Sequence, residues 1–195
     1  DTDKIAARYA KLTTAITATP TKFKYACKAN SNINILKFIR QLGAGLDTVS
    51  IQEVKLGIHA GFKPQDIIYT PNCVSIEEIR AAAQLGVHIN IDNISILEQF
   101  GHEFGGSVPG CLRLNPHILA GGNYQISTGH IDSKFGISIY QMRHVERVVA
   151  STGIQVRGLH MHTGSEIKDI DVFLRGVEIL FQMTEYFPEL DFIDL

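Results

Sequence analysis

Short apolar runs with strand character alternate with longer runs of helical period along this chain, and that alternation constrains its fold more than any other feature. Alternating β and α elements bury their apolar faces by forming a parallel sheet with helices packed against it. Seven strand candidates are read at Lys24–Asn30, Leu46–Ser50, Ile67–Pro71, His88–Asp92, Cys111–Asn115, Val156–Thr163 and Phe192–Leu195. Helix candidates lie between them at Ile33–Leu42, Ile51–Ala60, Ile76–Leu85, Ile94–Phe100, Gln141–Thr152 and Val172–Phe187, with one more ahead of the first strand at Lys4–Thr17. Gly43, Gly61, Gly86 and Gly153 stand where left-handed caps would end four of these helices. Ser50, Ser75 and Asn93 are placed as N-caps, and Glu53 and Glu78 follow the two serines at capping-box spacing.

This order predicts an α/β protein of the (β/α)8 barrel type. Such barrels have eight strands and about 250 residues. The 195-residue chain yields seven strands and ends on the strand Phe192-Ile193-Asp194-Leu195, so the barrel is expected to be truncated before its eighth unit. A doubly wound open sheet is the alternative, but no GxGxxG follows the first strand and no topological switch is evident. The stretch Pro116–Gly136 is the longest irregular one, and a loop of that length in a compact domain is usually functional or mobile.

A hydrophobic content of 45% suffices for one sizeable core. Eighteen basic against twenty acidic residues, without a Lys/Arg cluster, argue against nucleic acid and for small-molecule or protein partners. With no apolar run of membrane-spanning length and no signal-peptide pattern at Asp1-Thr2-Asp3-Lys4, a cytoplasmic location is expected. Cys27, Cys73 and Cys111 are odd in number and form no CxxC pair, so buried free thiols are expected and a metal cluster is not.

The chemistry-bearing residues fall at the C-terminal ends of the strands, where a barrel gathers its reactive groups. Lys28, in Tyr25-Ala26-Cys27-Lys28-Ala29-Asn30, stands at the end of an apolar strand. A lysine held out of water there has a lowered pKa and can act as a nucleophile or carry a Schiff base, although a lone strand-end lysine is ordinarily just a solvated charge. His160 and His162 share one face of the sixth strand. The pair could contribute to a zinc site, or one ring could stack on a flat cofactor while Gly164 and Ser165 meet a phosphate, or both could be satisfied structural histidines. Arg113, between Leu112 and Leu114, calls for a partner, expected to be an anionic oxygen. Asp47 is read equally as a site carboxylate or a helix-flanking one.

Taken together, YACKANSN (Tyr25–Asn32), GAGLDTVS (Gly43–Ser50), LRLNP (Leu112–Pro116), TGHIDSKFGI (Thr128–Ile137) and GLHMHTGSE (Gly158–Glu166) resemble, in order, the barrel domain of the fold type III PLP-dependent decarboxylases. Within that family the likeness is to the diaminopimelate decarboxylases, and LRLNP with TGHIDSKFGI favours them over the ornithine and arginine decarboxylases. The resemblance implies pyridoxal 5'-phosphate as cofactor and decarboxylation of meso-diaminopimelate to L-lysine and CO2, with another basic amino-acid decarboxylase or a racemase of the same fold as the nearest variant. A non-catalytic PLP carrier and a metal hydrolase using His160 and His162 are the competing readings.

Carried over by position, the resemblance implies that Lys28 links to PLP as a Schiff base and that His162 stacks on its ring. Ser165 would bind the phosphate, Asp47 would stand near the Schiff-base end and Arg113 would lie on the ring-oxygen side. Lys134 matches a lysine near the family's subunit interface, and His160 receives no role. Family members continue into a Gly-rich phosphate loop, a Glu-Pro-Gly-Arg segment and a C-terminal β-domain, none of which is in this sequence. The chain is therefore expected to be a barrel-domain fragment, inactive alone, from a protein that is a homodimer at full length.

Overall fold

The first strand–helix units form where the alternation places them. In the computed structural model, which describes residues 1–118, 133–165 and 167–195, residues 1–70 and 81–88 make one compact unit. It begins with α1 (Thr2–Ala15) and contains three parallel strands, β1 (Lys24–Ala26), β2 (Gly45–Thr48) and β3 (Ile67–Tyr69), connected through α2 (Ile33–Gln41) and α3 (Ile51–His59). Ala26 pairs with Asp47, and Asp47 with Ile68. A Cβ on Gly57 of α3 would come within 2.5 Å of Leu46 Cδ2 and 3.2 Å of Ile67 Cδ1, so α3 sits directly on that face. Side chains alternate along a strand, and Ala26, Asp47 and Ile68 therefore belong to the opposite face. Ser50 caps α3 as expected, its Oγ accepting from Glu53 N–H (3.2 Å) and satisfying one orphan donor. Glu53 Oε2 reaches back one residue past the cap to accept from Val49 N–H (2.8 Å).

Residues 71–80 and 89–195 make the second unit, and α4 (Ile76–Gln84) and β4 (His88–Ile91) each contribute to both ranges. Then follow α5 (Ile94–Phe104), β5 (Gly110–Asn115), β6 (Ile137–Ser138), α6 (Met142–Thr152), β7 (Val156–His160), α7 (Ile170–Met183) and β8 (Phe192–Asp194). Every pairing is parallel: Asn90 beside Cys111, Arg113 beside His160, and His160 beside Asp194. All six residues of β5 are buried, as suits a central parallel strand covered on both faces. Asn93 caps α5 as expected, its Oδ1 accepting from Ile96 N–H at 2.8 Å. At the other end of the helical pattern, Gly153 closes α6 with φ +74° and donates to Val149 O at 2.9 Å.

Gly176 of α7 faces Met161 and Thr163, which identifies the odd-numbered face of β7 as the helix side. On the other face Gly158 lies between Cys111 and Phe192. One step further along, Arg113, His160 and Asp194 form the next row on that same face.

Three expectations are corrected. The structure adds a strand to the seven read from sequence, the two-residue β6, which pairs Ile137 with Leu114 and Ser138 with Asn115. The first strand ends at Ala26 and not at Asn30, because the chain tightens into a 3-10 turn at Cys27–Ala29, closed by Asn30 N–H to Cys27 O at 3.1 Å. All three thiols are free, but only Cys27 and Cys111 are buried, and Cys73 is exposed. Residues 119–132 of the stretch Pro116–Gly136, and with them the first half of TGHIDSKFGI, lie outside the described residues, as does Glu166.

Candidate active site

In the first unit the residues singled out from the sequence are Lys28 and Asp47. Lys28 occupies the 3-10 turn that follows β1, exposed, and makes no hydrogen bond or ion pair with any described residue. Its neighbour Cys27 is fully buried and anchors the turn. Burial, reinforced by the negative charges of Glu53 and Asp47, pushes the Cys27 thiol up to about 11, so it stays protonated and packs as a small apolar group. Asp47 is half-buried and accepts a 2.7 Å hydrogen bond from Thr70 Oγ1, which fixes the carboxylate on the face opposite α3.

In the second unit the register gathers Arg113, His160 and Asp194 into one row. Arg113 is 5% exposed, with its Cζ 4.7 Å from the centroid of the Phe135 ring. His160 is 8% exposed. Its Nδ1 lies 2.9 Å from Asp194 Oδ2, close enough for an ion pair though off hydrogen-bond alignment, and its Nε2 is buried without a hydrogen-bond partner among the described residues. Asp194 also acts on Cys111, whose thiol is driven well above its usual range by burial first and by that carboxylate second.

His162 lies two residues beyond His160 and is half-buried. Ser165 is exposed and follows Gly164, whose φ of +129° is open to glycine and disfavoured for other residues. Asp92 is 5% exposed and held from both sides, by Asn72 Nδ2 (2.6 Å) and Asn93 Nδ2 (2.9 Å). Among the described residues no group of three or more His, Cys, Asp and Glu side chains is placed to hold a metal ion. No described helix is long and apolar enough to cross a membrane.

Sequence reasoning singled out Lys28, Asp47, Arg113, His160, His162 and Ser165 as candidates but not the contacts that hold them. Thr70 on Asp47, Phe135 on Arg113 and Asp194 beside His160 are all cross-strand or strand-to-loop neighbours, which register alone reveals. The motif SKFGI contained the Phe135 signal, an aromatic next to a glycine, without saying which strand it would meet.

Residues 2–193 match the family described as pyridoxal-dependent decarboxylase, pyridoxal binding domain. The chain belongs to that family. Its cofactor is pyridoxal 5'-phosphate. The chain is 34% identical over 186 residues to the diaminopimelate decarboxylase of Methanothermobacter thermautotrophicus, covering 94% of this chain and 44% of that protein. It is 31% identical over 186 residues to the enzyme of that name from Pseudomonas aeruginosa, covering 93% of this chain and 45% of the relative. Among solved structures, diaminopimelate decarboxylase from Helicobacter pylori complexed with L-lysine superimposes with a TM-score of 0.88 at 28% identity, over 100% of this chain and 52% of that one. The chain thus spans about half the length of the relatives it matches, and its fold is that of their PLP-binding barrel domain.

The residues present fit this cofactor. Lys28 offers an exposed amine that no described group engages, as a covalent attachment point requires. The second unit offers a cation (Arg113), a half-buried imidazole (His162) and a hydroxyl beside an open glycine (Ser165), a donor set suited to a flat, anionic molecule.

Proposed function

We propose that the whole protein to which this sequence belongs is a diaminopimelate decarboxylase that converts meso-diaminopimelate to L-lysine and CO2. The observation that carries this reading is the match of 93–94% of the chain to diaminopimelate decarboxylases at 31–34% identity. In this reading Lys28 carries the cofactor covalently. Asp47, anchored by Thr70, supplies negative charge near the attachment point and favours a cationic nitrogen there. His162 stacks on the ring, Arg113 holds its oxygen side by charge, and Ser165 donates to the phosphate. Bound there, PLP supplies the conjugated ring that takes up the electron pair left when an α-carboxylate departs as CO2. The functional protein is a homodimer acting in lysine biosynthesis in the cytoplasm, with Lys134 near the subunit interface.

Two measurements test this. Borohydride reduction of the PLP-loaded protein should leave a pyridoxyl label on the peptide carrying Lys28, and a label recovered on Lys24 or Lys134 would overturn the assignment. CO2 release should be fastest from meso-diaminopimelate. Faster release from ornithine or arginine would move the protein to another branch of the family.

A further inference from the structure

Arg113 is a long, flexible side chain in an otherwise apolar strand, and a cation used for recognition must be held in one orientation. One described neighbour against it is Phe135, whose ring centroid is 4.7 Å from the Arg113 Cζ. The same ring lies 5.1 Å from Lys134 Nζ. Phe135 is brought there by the residue after it. Gly136 has φ +79°, and a Cβ on it would come within 3.0 Å of both Asn115 N and Leu114 C and 3.2 Å of Arg113 O. Only glycine therefore lets this segment close onto the backbone of β5, and β6 then fastens it by pairing Ile137 with Leu114 and Ser138 with Asn115.

We propose that Phe135 is a positioning residue for Arg113: its ring, locked against the end of β5 by Gly136 and β6, fixes the orientation in which the guanidinium meets the cofactor. The inference rests on the reading that Arg113 lies against PLP. Guanidinium stacking on an aromatic face restricts the arginine to rotamers that keep the two planes in contact, without competing for the guanidinium N–H groups.

The test uses Phe135→Leu, Phe135→Tyr and Arg113→Met in the PLP-loaded protein, with thermal midpoints measured to identify any variant that fails to fold. Phe135→Leu should weaken PLP affinity about fivefold, equivalent to about 1 kcal/mol. Phe135→Tyr, which keeps the ring, should stay within about twofold of the parent, a window well inside that loss. In the Arg113→Met background Phe135→Leu should have no further effect, because its influence passes through the guanidinium. An equal loss in both backgrounds would overturn the proposal.

The Arg113 Nε–H resonance, assigned by its disappearance in Arg113→Met, gives the second readout. Ring-current displacement of that resonance should be lost in Phe135→Leu and kept in Phe135→Tyr, and an unmoved resonance in Phe135→Leu would also overturn the proposal. Should Arg113→Met leave PLP affinity unchanged, the cofactor reading of Arg113 fails, and the resonance alone then decides whether Phe135 positions it.

Discussion

Gly158→Ala is the sharpest test of the packing that underlies the Arg113–His160–Asp194 row. The added Cβ would lie 2.5 Å from Phe192 Cζ, 2.7 Å from Phe192 Cε2 and 2.9 Å from Cys111 Sγ. Carbon–carbon contact is comfortable from about 3.5 Å, so the ring must retreat by about 1 Å. The β7–β8 ladder holds the backbones of Gly158 and Phe192 in register, so the strain falls on the Phe192 side-chain torsions and on Cys111. Overpacking of this kind costs about 2 kcal/mol. For a chain of 195 residues that is a fall of about 4–8 °C in the thermal midpoint followed by circular dichroism.

Two companions separate the causes. Gly153→Ala meets nothing within 4 Å but must hold φ +74°, so it should lose only about 1 kcal/mol, all of it conformational. Phe192→Leu removes the obstructing ring atoms and should recover at least half of the Gly158→Ala loss in the double variant, since contacting residues couple. A Gly158→Ala protein as stable as the parent, or one equally damaged in the Phe192→Leu background, would refute the steric account.

Further outcomes follow from the same structure. Thr70→Val should lose about 1.5 kcal/mol in urea denaturation through the 2.7 Å bond to the Asp47 carboxylate, with Thr70→Ser retaining most of it, and equal losses would show that the hydroxyl is not the cause. Iodoacetamide on the folded protein at pH 8 should label Cys73 well before Cys27 or Cys111, and early labelling of Cys27 would contradict its burial and raised thiol. Because the Cys27 pKa rises from 9.0 unfolded to about 11 folded, its contribution is complete below pH 9 and is lost as pH climbs through 11. Cys27→Ala should flatten the decline measured between pH 8 and pH 11. Identical slopes for parent and variant would rule this out.

How far the sequence carried depends on the scale of the interaction. Strand starts and the helix ends closed by glycine were legible because they are governed by neighbours in sequence: Ser50 and Asn93 cap where expected, and Gly43, Gly61, Gly86 and Gly153 all take positive φ, whereas α5 runs four residues past the expected Phe100 and α7 stops four short of Phe187. Strand ends were not. The alternation Lys24, Ala26, Lys28 continues in the sequence past the point where the Cys27–Ala29 turn takes over, and that turn is set by where Cys27 can be buried. A two-residue strand such as β6 has no periodicity to detect, and it exists because β5 offers it a partner. The family was legible through the order of the motifs, which also chose the candidate site residues. Their supports, Thr70, Phe135 and Asp194, depend on which strand lies beside which, and no local pattern encodes that.

The turn at Lys28 has a consequence for reach. A 3-10 helix rises about 2.0 Å per residue where a strand rises about 3.3 Å. Lys28 therefore stands roughly 4 Å beyond Ala26, about 2.6 Å short of where an extended chain would carry it. The backbone delivers the residue early, and the four methylenes between Cα and the amine must span what remains. In the proposed attachment role, side-chain length is then a fitted dimension at this position: a shorter amine would stop below the height of the cofactor, and arginine, of comparable length, would arrive with a planar charge that cannot give up its proton.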